Sequence, residues 1–166
     1  MSKHNFIYQD MDRCIGCYAC EVHCKTEKSL PAGPRLCRII PTKPKISGGI
    51  PKVDFVFMSC YQCAKPACVV ACPEKAMEKR AKDGIVFVEQ SLCTGCKACI
   101  KACPWGSPQF NEDTGTVVKC DHCMDRLDRG LRPACVSKCT TGSLHWTTPN
   151  EASQLKRIKH VRAKSR

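Results

Sequence analysis

Residues 93–110 read CTGCKACIKACPWGSPQF, and this stretch decides the fold. Cys93, Cys96, Cys99 and Cys103 follow the spacing C-x2-C-x2-C-x3-C, and Pro104 comes next. Three thiols at x2 spacing share one tight loop and aim at a common centre. The fourth, three residues on, falls on the short helix that follows. The pattern recurs along the chain, an internal repeat. Cys14, Cys17, Cys20 and Cys24 keep the same spacing. Cys60, Cys63, Cys68 and Cys72 have one gap lengthened to x4, and Cys120, Cys123, Cys135 and Cys139 have one lengthened to x11. Every group ends in C-x3-C. Cys72-Pro73 and Cys103-Pro104 carry the helix-ending proline, whereas Lys25 and Thr140 stand in its place in the first and fourth groups.

A cubane cluster of four irons needs one outside ligand per iron, and the soft thiolate suits it. Sixteen of the seventeen cysteines fall into four complete groups, which points to four [4Fe–4S] clusters. Disulfides are the first rival. Residues 1–10 show no basic segment followed by an apolar run and no twin arginine, so the expected compartment is the cytoplasm, where thiols stay reduced. No run reaches the roughly 18 apolar residues of a membrane helix, so no membrane span is expected. Zinc is the second rival, because a zinc-binding nucleic-acid module would also use C-x2-C pairs. Three cysteines in seven residues crowd one side of a tetrahedron, which favours iron–sulfur. His23 and His122, inside the first and fourth groups, read as polar loop residues.

The formal charge of +12 treats each cysteine as neutral. A [4Fe–4S] core with its four thiolates carries roughly −2, so four of them leave roughly +4. The basic excess then reads as counter-charge for the clusters, and nucleic acid is not an expected partner.

Strand and turn signals separate the cysteine groups. Residues 85–89 (IVFVE) follow Asp83-Gly84, residues 116–119 follow Asp113-Thr114-Gly115, and residues 53–58 precede the second group. Residues 68–77 read as helical. Residues 31–51 hold five prolines and three glycines and read as a loop or twisted hairpin. The expected class is α+β, with small sheets, short helices and a core dominated by the clusters. Residues 1–150 form the expected domain, and 151–166 a basic C-terminal tail.

Residues 93–110 together with 120–139 (CDHCMDRLDRGLRPACVSKC) and 14–28 (CIGCYACEVHCKTEK) resemble the iron–sulfur subunits of molybdenum and tungsten oxidoreductases. The resemblance covers about residues 5–148. It implies two interleaved bacterial 2[4Fe–4S] ferredoxin-like modules, the first and fourth groups forming one half and the second and third the other. Its ligand sets carry over residue by residue. Cluster one would use Cys14, Cys17, Cys20 and Cys139; cluster two Cys24, Cys120, Cys123 and Cys135. Cluster three would use Cys60, Cys63, Cys68 and Cys103; cluster four Cys72, Cys93, Cys96 and Cys99. The clusters would run as a wire in that order, with cluster one facing a catalytic subunit that holds a molybdenum or tungsten pterin. Cluster four would meet a further redox protein, a second copy of this chain included. The short connection from Cys37 to Cys60 and the lack of an anchor after the fourth group favour an aldehyde or formate oxidoreductase as the complex. A stand-alone polyferredoxin is the alternative.

Cys37 lies outside the groups, beside Leu36, Ile39 and Ile40, and reads as a small buried residue, not a ligand. Lys25, Lys75, Lys97, Lys101, Lys119 and Lys138 crowd the cysteine loops. They serve either solubility or the stabilisation of reduced clusters, while Ile15, Val69 and Ile100 would limit water at the sulfurs. Leu155, Ile158 and Val161 follow helical spacing in the tail, which reads first as solvated, then as docking on a partner, then as binding an anionic membrane. No G-x-G-x-x-G or G-x4-G-K-[ST] occurs, and no cysteine trio leaves an iron open for radical chemistry, so the chain alone is expected to be no enzyme.

Overall fold

The structure is a computed structural model that describes residues 5–164. Its described residues build five two-stranded antiparallel sheets with short helices between them, an α+β fold of ferredoxin-like kind. The repeat unit is a cysteine loop, a short helix and a hairpin. Each of the four loops runs into a helix whose first residue is alanine and whose second is the third cysteine of its group. These are α1 (Ala19–Glu27), α2 (Ala67–Val70), α3 (Ala98–Ala102) and, after α4 (Met124–Asp128), α5 (Ala134–Ser137). Helices of four or five residues do not stand alone in water. Here α2 packs against α3 and α1 against α5.

The strands follow the turn residues. β6 (Met77–Lys79) pairs with β7 (Val86–Val88), and the turn is closed by the Arg80 amide on the Ile85 carbonyl at 2.7 Å. β8 (Gln109–Asn111) pairs with β9 (Thr116–Val118) around Gly115. Met77 is therefore strand, where the sequence suggests helix: its side chain is 2 % exposed and fills the second core. The proline-rich segment is two ladders, β2 (Arg38–Pro41) with β5 (Phe55–Met58), and β3 (Lys45–Ser47) with β4 (Ile50–Lys52). The ends of the chain meet, because β1 (Phe6–Gln9) pairs with β10 (Leu144–Thr147).

Two apolar clusters form the interior. Of the ten buried residues in the first, six are cysteines, with Leu36, Ile39, Val136 and Leu144 completing it. The second joins Cys68 and Cys99 to Met77, Val86 and Val117. Apolar side chains alone thus make a thin core, and whatever the thiols bind completes it.

Helix α6 (Pro149–Lys164) has its own start signal. Thr148 and Glu151 form a reciprocal capping box, the Thr148 amide donating to the Glu151 carboxylate at 2.9 Å, with proline at the first helical position. Ala152 is buried, and Lys159 pairs with Asp10 and, at 2.7 Å, with Asp12. Ile158 and Val161 are exposed and Leu155 is only just so.

Candidate metal centres

The four cysteine loops share one backbone geometry. The residue before the second cysteine of each group is left-handed: Gly16 (φ 66°), Gln62 (49°), Gly95 (70°) and His122 (51°). This turn brings neighbouring thiols round to one side. Glycine adopts it freely. At Gly95 glycine is also the only residue that fits, because an added Cβ would run into the Gly115 carbonyl oxygen. At Gly16 a Cβ would meet the Phe55 ring at 2.5 Å. Gln62 and His122 lack that freedom and are held by their side chains. Gln62 donates through Nε2 to the Cys120 carbonyl at 2.9 Å and accepts the Val86 amide at 2.8 Å. The His122 ring is buried and packs edge-on against Trp146, centroids 5.1 Å apart.

Two of the four predicted ligand sets each line a pocket. Cys72, Cys93, Cys96 and Cys99 line one pocket. Cys60, Cys63, Cys68 and Cys103 line another, with Lys119 in its wall. Cys135 lies within the electrostatic reach of Cys120, Cys24 and Cys123, and Cys20 within that of Cys139 and Cys17. Cys14 packs half-buried against the first core. Thiol neighbours also link one set to the next: Cys20 with Cys135, Cys60 with Cys120, and Cys68 with Cys99. Cys17 and Cys96 are the two exposed cysteines.

None of the seventeen cysteines forms a disulfide. Burial pushes Cys20 and Cys120 up to about 12 and Cys99 up to about 11, since a lone thiolate is poorly solvated there. Only a strongly cationic centre makes such thiols ligands, because metal coordination removes the proton outright. Zinc would need its ligands about 2.0–2.3 Å from one ion. Eight of the cysteines instead line two pockets, four in each, as donors to a multi-atom cluster do, and the residues present fit [4Fe–4S] chemistry.

Cys37 is 4 % exposed, and its thiol donates to the Cys20 carbonyl at 3.6 Å. Its thiol also neighbours that of Cys24, and the interaction lowers the Cys24 pKa and raises that of Cys37. His23 lies in helix α1, not a loop. His122 is buried and held neutral, its pKa lowered to about 4 first by desolvation and then by the charge of Lys119. Val69 and Ile100 pack against the second core, but Ile15 is 64 % exposed. Among the lysines, Lys119 stands apart at 5 % exposure. Sequence reasoning does not separate the polar anchors Gln62 and Lys119, or the two loop glycines, from their neighbours. For the glycines a signal exists, their place as the second residue between the first two cysteines of a group.

Residues 51–148 match the family described as the 4Fe-4S dicluster domain, and residues 11–27 match the 4Fe-4S binding domain. The chain is 39 % identical over 155 residues to the B subunit of anaerobic dimethyl sulfoxide reductase from Escherichia coli (strain K12), covering 87 % of this chain and 73 % of the relative. It is 39 % identical over 154 residues to the thiosulfate reductase electron transfer subunit PhsB of Salmonella typhi, covering 92 % and 80 %. It is 47 % identical over 87 residues to the beta subunit of selenate reductase from Thauera selenatis, covering 52 % and 27 %. The expected aldehyde or formate type draws no support from these relatives. No helix among the described residues is long and apolar enough to cross a membrane.

Proposed function

The protein belongs to the family of four-cluster [4Fe–4S] electron-transfer subunits of molybdenum oxidoreductases and is itself non-catalytic, and from that premise we propose that it wires a molybdenum reductase subunit to a second redox partner. When bound, four clusters would supply one-electron storage, one electron at each. The chain's residues set where those electrons can travel. The ligand sets proposed are Cys14, Cys17, Cys20 and Cys139; Cys24, Cys120, Cys123 and Cys135; Cys60, Cys63, Cys68 and Cys103; and Cys72, Cys93, Cys96 and Cys99. In this reading the first and fourth groups make one ferredoxin-like half, interrupted by the other.

The observation that carries the wire is the distribution of exposure. Cys17 of the first set and Cys96 of the last are exposed, and the thiols that link neighbouring sets are buried. Electrons would pass at the two ends. Around Cys17, the exposed Ile15, Tyr18 and Val22 offer an apolar surface suited to the catalytic subunit. The Cys96 end would face the further redox protein.

By its relatives, the catalytic partner is a reductase of a sulfoxide or of a sulfur or selenium oxyanion. The test is purification of the complex under anaerobic conditions. A molybdenum-containing subunit should co-purify, and dithionite-reduced clusters should reoxidise on addition of dimethyl sulfoxide, thiosulfate, tetrathionate or selenate. A chain that purifies alone in its clustered form is a free polyferredoxin and refutes the proposal.

A further inference from the structure

Lys119 is a buried cation with no ion-pair partner among the described residues; the buried Asp121 in the same cavity is paired with Lys28. Its ammonium donates to the Val86 carbonyl at 2.5 Å and to the Cys120 carbonyl at 2.8 Å, both neutral acceptors. None of the ion pairs among the described residues includes it. A lysine this deep normally pairs with a carboxylate or gives up its proton. The negative charge that offsets it must come from something the cavity walls hold.

Two sites flank it. On one side Lys119 lines the pocket of Cys60, Cys63, Cys68 and Cys103. On the other it is bonded to Cys120 and adjoins it in sequence. No other lysine named in the cysteine loops is comparably buried. Lys28, the nearest rival, is paired with Asp121 at 2.7 Å and Asp125 at 3.8 Å, so its charge is already matched.

We propose that Lys119 is a fixed positive charge shared by clusters two and three, which raises both their reduction potentials relative to the two end clusters. Each one-electron step between the middle sites moves one negative charge past Lys119: the donor site loses an electron, the acceptor gains it, and no proton moves. Lys119 stabilises the electron on either side, so neither middle site becomes a barrier created by repulsion from its neighbour. Its rigid grip on two carbonyls keeps the charge at a constant place during transfer.

This inference rests on the ligand sets proposed above. It is tested in the intact complex by potentiometric titration followed by electron paramagnetic resonance. Lys119→Gln keeps an N–H donor and drops the charge, whereas Lys119→Arg keeps the charge. Two of four midpoint potentials should fall together in the glutamine variant, and arginine should restore them. The two signals should be those lost in Cys63→Ser and Cys120→Ser. Four unchanged potentials, a uniform fall of all four, or an arginine variant as low as the glutamine one overturns the proposal. If the glutamine variant does not retain clusters, iron content decides. Retention in arginine beside loss in glutamine and methionine supports the shared charge, and equal loss in all three overturns it. If two potentials fall but the cysteine variants remove other signals, the shared charge stands and the ligand sets fail.

Discussion

The Lys119 ammonium and the Gln62 amide donate to the same acceptor, the Cys120 carbonyl, at 2.8 and 2.9 Å. Both also bind Val86, Lys119 at its carbonyl and Gln62 at its amide. The clasp fastens the second cysteine loop and the β6–β7 hairpin to the fourth group. Gln62→Leu leaves the Val86 N–H unpaired and keeps a bulky residue in a left-handed turn. It should cost about 1–3 kcal/mol, since an orphaned buried donor loses its full hydration. The midpoint of guanidinium unfolding, followed by the loss of brown absorbance, measures it.

The two loop glycines should respond differently to alanine. In Gly95→Ala the new Cβ meets the Gly115 carbonyl, which is backbone and cannot swing away. In Gly16→Ala it meets the Phe55 ring, a side chain that can turn. Left-handed backbone costs either variant about 1–2 kcal/mol. Gly95→Ala should also lose the cluster proposed to bind through Cys93, Cys96 and Cys99, while Gly16→Ala should retain four. Iron content and spectra of the two variants check this.

Crossed ligation has a genetic signature. Cys14→Ala and Cys139→Ala should abolish the same spectroscopic signal, because they are proposed to serve one cluster. Loss of two different signals would separate them. Cys37→Ala should leave all four signals in place, although it removes a hydrogen bond to the Cys20 carbonyl.

Helix α6 should loosen with pH in a defined way. Lys159 lowers the Asp12 pKa, so the contribution of Asp12 is present above its ordinary value of 3.8 and is lost as the pH falls below it. Asp10 and Asp12 raise Lys159 to about 12, so its contribution is present below 10.5 and fades as the pH climbs towards 12. Lys159→Ala should cost at most about 1 kcal/mol, as partly exposed pairs do. At neutral pH it should speed tryptic cleavage at Arg157 and Arg162.

The cysteine spacing makes the groups legible, because local chain geometry alone brings three thiols to one loop. Hairpins at Asp83-Gly84 and around Gly115 are legible for the same local reason. The pairing of β1 with β10 is not, since nothing local in Phe6–Gln9 points to Leu144–Thr147. Met77 misleads because a helix-compatible run ends in a residue that the second core claims. The helix in the tail is readable in principle from Thr148 and Glu151, a capping signal at its start. Lys119 cannot be singled out among six lysines, because burial depends on contacts between distant segments.

Iron and acid-labile sulfide in the anaerobically purified chain test the central claim most directly. Four complete sets of cysteines require about sixteen of each per chain, at four per cubane. A reproducible value near eight of each, about half of that requirement, would contradict the four-cluster wire.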